Sequence, residues 1–424
     1  MPMKVGVISL GCSKNLVDSE ILLARLKSAG VELTSDIESA DCIVVNTCGF
    51  IEDAKRESID TILEAIDTGK KVLVMGCLVE RYRKELEKEL TEVEGFFGTQ
   101  SWDEILKHLG LQPKYSAPYR LLTTPTSYAY VKIAEGCNRL CSFCAIPKIR
   151  GRHLSRPVED IVSEVKDLAS RGVKEIDIVS QDTTYYGKDL YREYRLTELL
   201  KELEEVEGIE WIRLLYLYPT EVSDQLISYI RDSEKVLPYF DMPIQHISSK
   251  VLKSMRRGYD EGFVRRLIEK IRSEIPEAVL RTTLIVGYPN EDEEDFRRLL
   301  NFVEEGHFHW LGVFTYSPEE DTGAFPLGDP LPQELKEERK ETLIEAQRKI
   351  TARKNASLVG KRFKVIVDGF SSEFSFVPKG RAYLHAPEVD GAVYIESEEP
   401  LKVGDRVEVE ITQATDYDLG GRVV

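Results

Sequence analysis

No run of about 18 apolar residues occurs in this chain, so nothing in it reads as a membrane-spanning helix. The opening segment MPMKVGVISLGC also lacks a basic region followed by a long apolar stretch and a small-residue cleavage site, and the expected location is cytoplasmic. Positive charge is in deficit. Against 74 Asp and Glu stand 57 Lys and Arg, a formal net charge of −17. Nucleic-acid binders concentrate Lys and Arg because neutralised phosphates supply most of their non-specific affinity. This balance weakens the case for an RNA partner and favours a basic protein. No repeat of 20–50 residues is evident. An even cysteine count is missing too: Cys12, Cys42, Cys48, Cys77, Cys137, Cys141 and Cys144 make seven. With no export signal, that argues against a disulfide framework and for metal or redox chemistry.

At 424 residues the chain is too long for one core and implies two or three domains. The region from residue 1 to about 110 alternates continuous apolar runs (KVGVISL, CIVVN, KVLVMG, GFFG) with amphipathic helical patterns such as DSEILLARLKSAG, which stops on Gly30. Ser101 with Glu104 reads as a capping box before ILKHL. Continuous apolar strands separated by helices imply a parallel sheet covered on both faces. Residues 110–127, with three prolines and no clear period, read as a linker. A second βα alternation follows, with strands expected in YAYVKIA, EIDIVS, WIRLLYL, YFDMPI, LRTTLIVG and WLGVFTY. About six βα units suit an open or partial barrel with its reactive end at the strand C-termini. A charged helix (332–356) leads to short alternating runs with Gly turns over 360–424, the pattern of a small antiparallel β-barrel. That segment carries 8 basic against 12 acidic residues.

Two cysteine constellations carry the chemistry. Cys137-Asn-Arg-Leu-Cys141-Ser-Phe-Cys144 places three thiolates within eight residues, enough to hold three corners of a 4Fe–4S cube and leave one iron open. S-adenosylmethionine (SAM) can chelate such an iron through its amino and carboxylate groups and accept one electron at its sulfonium, releasing a 5′-deoxyadenosyl radical. Zinc is the competing reading. Zinc sites usually pair two Cys-x-x-Cys units or add histidines, and the nearest histidine here is His153. The second constellation is Cys12, Cys48 and Cys77, spaced 36 and 29 residues apart, each just after an apolar strand (ISLG-Cys12, VVNT-Cys48, VLVMG-Cys77). In a doubly wound sheet those positions share the edge where ligands bind. Gly11 and Gly76 permit tight turns beside a ligand. Three independent core thiols are the bland alternative; a second three-cysteine cluster accounts for the shared placement. Cys42 begins a strand and reads as core.

With those residues in place, the chain resembles the radical SAM methylthiotransferase family. SLGCSKNLVDSE, NTCGFIEDAKRES, MGCLVERY and EGCNRLCSFCAIPKIRGR carry the resemblance, which extends over nearly the whole chain. It implies an N-terminal flavodoxin-like domain (1–112), a radical SAM partial (βα)6 barrel (123–356) and a C-terminal TRAM β-barrel (357–424). It also implies a 4Fe–4S cluster on each cysteine triplet, and SAM used both as methyl donor and as radical source. A reduced flavodoxin or ferredoxin as electron donor and a sulfide source would be needed. LGCSKNLVDSE, CGFIEDAKRES, GFFGTQSWDEI, MPIQHISSKVLKSMRRG and APEVDGAVYI are similar to the branch that modifies an aspartate of ribosomal protein S-twelve at its β-carbon. A transfer-RNA adenosine (C2) methylthiotransferase is the alternative. A non-catalytic two-cluster electron carrier or RNA-binding protein is a third reading, and it leaves the open-iron spacing without a purpose.

Further residues follow from the same resemblance. Phe143, between two ligands, would pack near the adenine or cover the cluster. Gln181 and Asp182 follow EIDIVS, where related enzymes bind the SAM amino group; a turn or cap role competes for Asp182. Arg213 would pair with the SAM carboxylate. Gln245 and His246 would touch ribose or substrate, and Gly287 would let the adenine approach backbone. Lys148, Arg150, Arg152 and Arg156 form a basic loop for SAM or a substrate carboxylate, or a solvated charge run. Glu388, Asp390 and Glu396 would steer a basic partner, or be plain surface.

Overall fold

The computed structural model describes residues 2–112 and 120–424. Part of the expected linker, 113–119, lies outside the described residues.

The N-terminal region runs β1 (Lys4–Ser9), α1 (Ser13–Ser28), β2 (Glu32–Leu33), β3 (Cys42–Thr47), α2 (Glu52–Asp67), β4 (Lys71–Gly76), α3 (Cys77–Glu89), β5 (Gly95–Phe97) and α4 (Trp102–His108). The strands form one parallel sheet in the order β2-β1-β3-β4-β5, the flavodoxin-like arrangement. All six residues of β3 are buried because the sheet is covered on both faces, which is why its sequence does not alternate. Val45 and Val74 pack into one apolar layer with Ile62 of α2, while Val44 and Leu73 pack into the other with Leu22 of α1. Cys42 is fully buried there, and burial pushes its thiol up to about 12. The Ser101 capping box does not form: its side chain makes no cap hydrogen bond, and the preceding turn is held instead by Glu80, which accepts from the Thr99 N–H at 2.9 Å.

The second region contains β6 (Tyr128–Lys132), a short antiparallel ribbon of β7 (Ala134–Glu135) and β8 (Leu154–Ser155) around α5 (Ile146–Ile149), then α6 (Val158–Ser170), β9 (Glu175–Val179), α7 (Leu196–Glu204), β10 (Trp211–Leu214), α8 (Asp224–Asp232), β11 (Val236–Asp241), α9 (Ser249–Ser254), α10 (Glu261–Glu274), β12 (Val279–Val286), α11 (Glu293–Glu304), β13 (Trp310–Thr315) and α12 (Gln333–Ala356). Six parallel strands, β6-β9-β10-β11-β12-β13, make an open half-barrel. Its helices bury Leu168, Leu199, Leu267, Leu299 and Phe302 against the outer face of the sheet.

The C-terminal region closes into a five-stranded barrel: β14 (Arg362–Phe370), β15 (Pro378–Arg381), β16 (Val393–Glu396), β17 (Arg406–Ala414) and β18 (Leu419–Val423). It is not wholly antiparallel. β18 returns beside β16 in the same direction, after β17 has crossed to pair with β14.

The barrel seals the floor of the half-barrel. Tyr128, Trp211, Val279 and Trp310 begin their strands, and they share one apolar cluster with Val365, Leu384, Val393 and Val409 of the barrel. A buried charge network stitches the same joint. Arg213 donates to Glu175 at 2.8 Å and to the Tyr383 carbonyl at 2.8 Å, and Arg381 bridges Glu175 at 2.6 Å and Asp368 at 2.7 Å. This corrects the expectation for Arg213: it is fully buried at the floor, where no SAM carboxylate competes with Glu175. Asp390, expected to steer a partner, is likewise used at this joint by Tyr239 and Arg281. Glu388 accepts from Tyr130 Oη at 3.0 Å, and Glu396 is exposed. Among the described residues no helix is long and apolar enough to cross a membrane.

Because Arg213 neutralises buried carboxylates, Arg213→Met should lower stability by about 3–5 kcal/mol, read as an earlier urea midpoint. An unchanged midpoint would contradict a structural role.

Candidate active site

Cys12 is the N-cap of α1, Cys77 is the first residue of α3, and Cys48 sits in the turn from β3 to α2. The turns pack directly on one another. Gly11, at φ +86°, lies so close that an added Cβ would stand 2.8 Å from the Cys48 Cβ. Asn15 fastens two of them, donating to the Leu10 carbonyl at 2.9 Å and the Thr47 carbonyl at 3.0 Å, while the Cys77 thiol approaches its Oδ1 at 3.6 Å. Ser58 holds the Cys48 backbone from both sides: its Oγ accepts from the Cys48 N–H at 3.0 Å and donates to the Cys48 carbonyl at 2.8 Å.

Cys137, Cys141 and Cys144 lie in the loop framed by the β7–β8 ribbon. Gly136, at φ +71°, has no room for a side chain, since a Cβ would meet the carbonyls of residues 150–152 within 2.7 Å. The Cys137 N–H donates to the Gly151 carbonyl at 3.1 Å. Two donors point at the sulfurs: the Arg139 N–H reaches Cys137 Sγ at 3.3 Å, and Arg257 Nη1 reaches Cys141 Sγ at 3.1 Å.

Both triplets open on one cavity of about 410 Å³ between the two parallel sheets. All seven cysteines are free, so no disulfide removes a ligand. Among the described residues no three Cys, His, Asp or Glu are gathered tightly enough for a single metal ion. Three thiolates each binding a different iron of a cube stand farther apart, so this donor set suits a cluster better than zinc. Electrostatics separate the thiols. Burial pushes Cys12 up, but Lys14 and Arg150 beside it outweigh that and hold it below the ordinary value. Burial raises Cys48, and lifts Cys77 and Cys144 to about 12 and Cys137 to about 11.

Comparison with known proteins agrees in every part of the chain. Residues 4–98 match the family described as "Uncharacterized protein family UPF0004", 131–303 the "Radical SAM superfamily" and 359–424 the "TRAM domain". The chain is 68% identical over 420 residues to ribosomal protein uS12 methylthiotransferase RimO of Aquifex aeolicus (strain VF5), covering 99% of this chain and 97% of that one. It is 49% identical over 425 residues to the protein of the same name from Sulfurihydrogenibium sp. (strain YO3AOP1), covering 99% of each. This chain belongs to the RimO methylthiotransferase family. It is a transferase of the radical SAM class, whose members use a 4Fe–4S cluster and SAM. In fold it also resembles the radical SAM methyltransferase TsrM from Kitasatospora setae, at 14% identity and a TM-score of 0.52 over 77% of each chain.

Of the residues that the family resemblance nominated for SAM, Phe143, Gln181 and Gln245 line the cavity. The amide oxygens of both glutamines are buried without a hydrogen-bond partner among the described residues, ready for an incoming donor. Gln245 is held at φ +74°, an unusual conformation for a residue with a side chain. Asp182 does not line the cavity. It caps the turn at Thr183–Tyr185 and holds Arg139 at 2.7 Å, so Arg139 presents the charge instead. Gly287 does not line the cavity, and its α-carbon faces the Lys336 side chain. His246 is fully buried, accepting from the Ser248 N–H at 2.9 Å. Of the basic loop, only Arg150 lines the cavity. Arg150 is buried against Asp18 at 3.1 Å and Glu135 at 2.7 Å, Arg156 pairs with Glu164 at 2.6 Å, and Lys148 and Arg152 are exposed.

Sequence reasoning missed Arg257 and Lys14, which both line the cavity. Arg257 sits in a run of charge after α9 whose direction only the fold reveals. Lys14 did leave a signal: a lysine in the first turn of a helix opposes the helix dipole.

Thiolates, not thiols, alkylate. In metal-free protein at pH 7, a brief iodoacetamide pulse read by peptide mass spectrometry should label Cys12 ahead of Cys48, Cys77, Cys137 and Cys144. Equal labelling would contradict the Lys14 and Arg150 effect.

Proposed function

We propose that this chain inserts a methylthio group at the β-carbon of an aspartate of ribosomal protein uS12, acting in the cytoplasm with two 4Fe–4S clusters and two equivalents of SAM. The reading assigns one cluster to Cys12, Cys48 and Cys77 and the SAM-binding cluster to Cys137, Cys141 and Cys144, within units spanning 1–112, 123–356 and 357–424. The observation that carries it is the opening of all six thiols on one cavity. A β C–H is too weakly acidic for a general base of ordinary strength, so hydrogen must leave as an atom. When bound, the clusters supply an electron to the SAM sulfonium on one side and an open iron that can carry sulfur on the other.

The chain's own residues do the rest. Two rigid triplets set the separation between radical source and sulfur, which is the proximity term in this reaction. Arg257 places positive charge on Cys141 Sγ and so favours the more negative, reduced state of whatever that thiolate binds. Gln181 and Gln245 offer acceptors to the SAM ammonium and ribose hydroxyls. Phe50, Ile51, Leu217 and Ile285 make much of the wall apolar, which keeps water from a reactive intermediate. A flavodoxin or ferredoxin donor and a sulfide source complete the requirement. The acidic balance of the barrel and the uS12 in the relatives' names favour a basic protein substrate over transfer RNA.

Anaerobic reconstitution should give about eight irons per chain in the native protein and about four in Cys48→Ala. Only the native protein should add one SCH2 unit of mass to the uS12 peptide. Full sulfur insertion by Cys48→Ala, or a gain on tRNA adenosine and none on the peptide, would reverse the reading. Separately, Arg257→Met should lower the midpoint potential of the SAM-binding cluster in an EPR-monitored titration, because cluster potentials follow hydrogen bonds to the sulfurs. A potential equal to the native one would deny Arg257 that role.

A further inference from the structure

Four cations line the shared cavity: Lys14, Arg139, Arg150 and Arg257. The protein already satisfies three. Arg139 holds Asp182 at 2.7 Å and Glu221 at 3.0 Å. Arg150 is locked between Asp18 and Glu135. Arg257 spends its donors on Tyr259 Oη at 2.9 Å, Cys141 Sγ at 3.1 Å and the Pro243 carbonyl at 2.6 Å.

Lys14 is different. Its ammonium lies over the Tyr216 ring, 3.3 Å from the centre, and the groups acting on it are Tyr216, Cys12 and, repulsively, Arg150. The residue is buried, and its ammonium shares the space with the Cys12 thiol and the Tyr216 side chain, with no carboxylate beside it among the described residues. Its place in the first turn of α1 adds the unfavourable helix dipole. Lys14 forms part of the cavity wall beside Cys12, where an incoming anion can reach it.

We propose that the Lys14 ammonium receives the side-chain carboxylate of the target aspartate, which makes it a specificity-determining residue; this rests on the uS12 reading above. That carboxylate is one bond from the β-carbon. Anchoring it two residues from Cys12 would hold the β-carbon in the cavity that both triplets line. A nucleobase carries no carboxylate, so the same contact discriminates against RNA. The SAM carboxylate offers the same chemistry, but SAM is assigned to the opposite triplet.

The test uses the full-length, anaerobically reconstituted protein and reads iron per chain, the Kd for SAM, and the Kd for uS12 peptides carrying either the aspartate or asparagine in its place. Lys14→Met should weaken the aspartyl peptide roughly ten- to a hundredfold, the range for losing a hydrogen bond to a charged group, with iron content and SAM affinity retained. It should also lose the native preference for aspartyl over asparaginyl peptide, and Lys14→Arg should restore most of it. Unchanged peptide affinity overturns the assignment, as does a loss that falls on SAM instead. Loss of iron in both variants would make Lys14 a partner of the cluster and overturn it too. If the native protein binds neither peptide and modifies tRNA, the substrate reading fails and this assignment falls with it. If the native protein modifies the peptide while Lys14→Met binds it normally, the assignment alone fails.

Discussion

Arg150 ties the two catalytic halves of this molecule together. It leaves the end of α5, six residues past Cys144, and inserts between the sheets, where it meets Asp18 and Asn15 of the N-terminal domain and Glu135 of the half-barrel. Lys132 joins the same knot through Asp18 and Glu135. Buried charges of this kind are stable only when paired with good geometry, and removing one partner strands the others. The knot therefore fixes how far apart the domains sit and how they are turned. Asn15 carries the constraint onward to the turns bearing Cys12 and Cys48, and the Cys137 loop follows Arg150 through its backbone bonds. A second clamp, Glu319 with Arg81 at 2.7 Å and Lys55 at 3.2 Å, closes the far side of the cavity.

The small barrel acts at the other end. By packing on the strand N-termini it fills the floor of an open sheet that would otherwise expose Tyr128, Trp211 and Trp310. The site at the strand C-termini is thus built between a lid and a floor that are both bound through buried ion pairs. Phe314, near the end of β13, stands half exposed beside the cavity.

The sequence exposed what depends on pattern along the chain. Continuous apolar runs marked the parallel strands, and a cysteine at the end of three of them marked a shared edge. It could not show what depends on direction across the chain. Arg213 lies on a correctly read strand, but its side chain goes to the floor and not to the site. Asp182 follows a strand end as a ligand would, yet its carboxylate is consumed by its own turn and by Arg139. Arg150 and Arg156 read as a solvated or ligand-binding run, because the carboxylates that pair with them lie on other elements, Asp18 on α1, Glu135 on β7 and Glu164 on α6. Alternating runs predicted the barrel strands but not the parallel pairing of β16 with β18, since alternation records which face is buried and not which way a neighbour runs.

We propose that two clusters face one another across the single cavity, and spin–spin interaction tests this most directly. In fully reduced holoprotein the EPR signals of the two clusters should broaden and split by mutual coupling, and the splitting should vanish in a protein lacking either triplet. Two independent, uncoupled signals in the native protein would contradict the account.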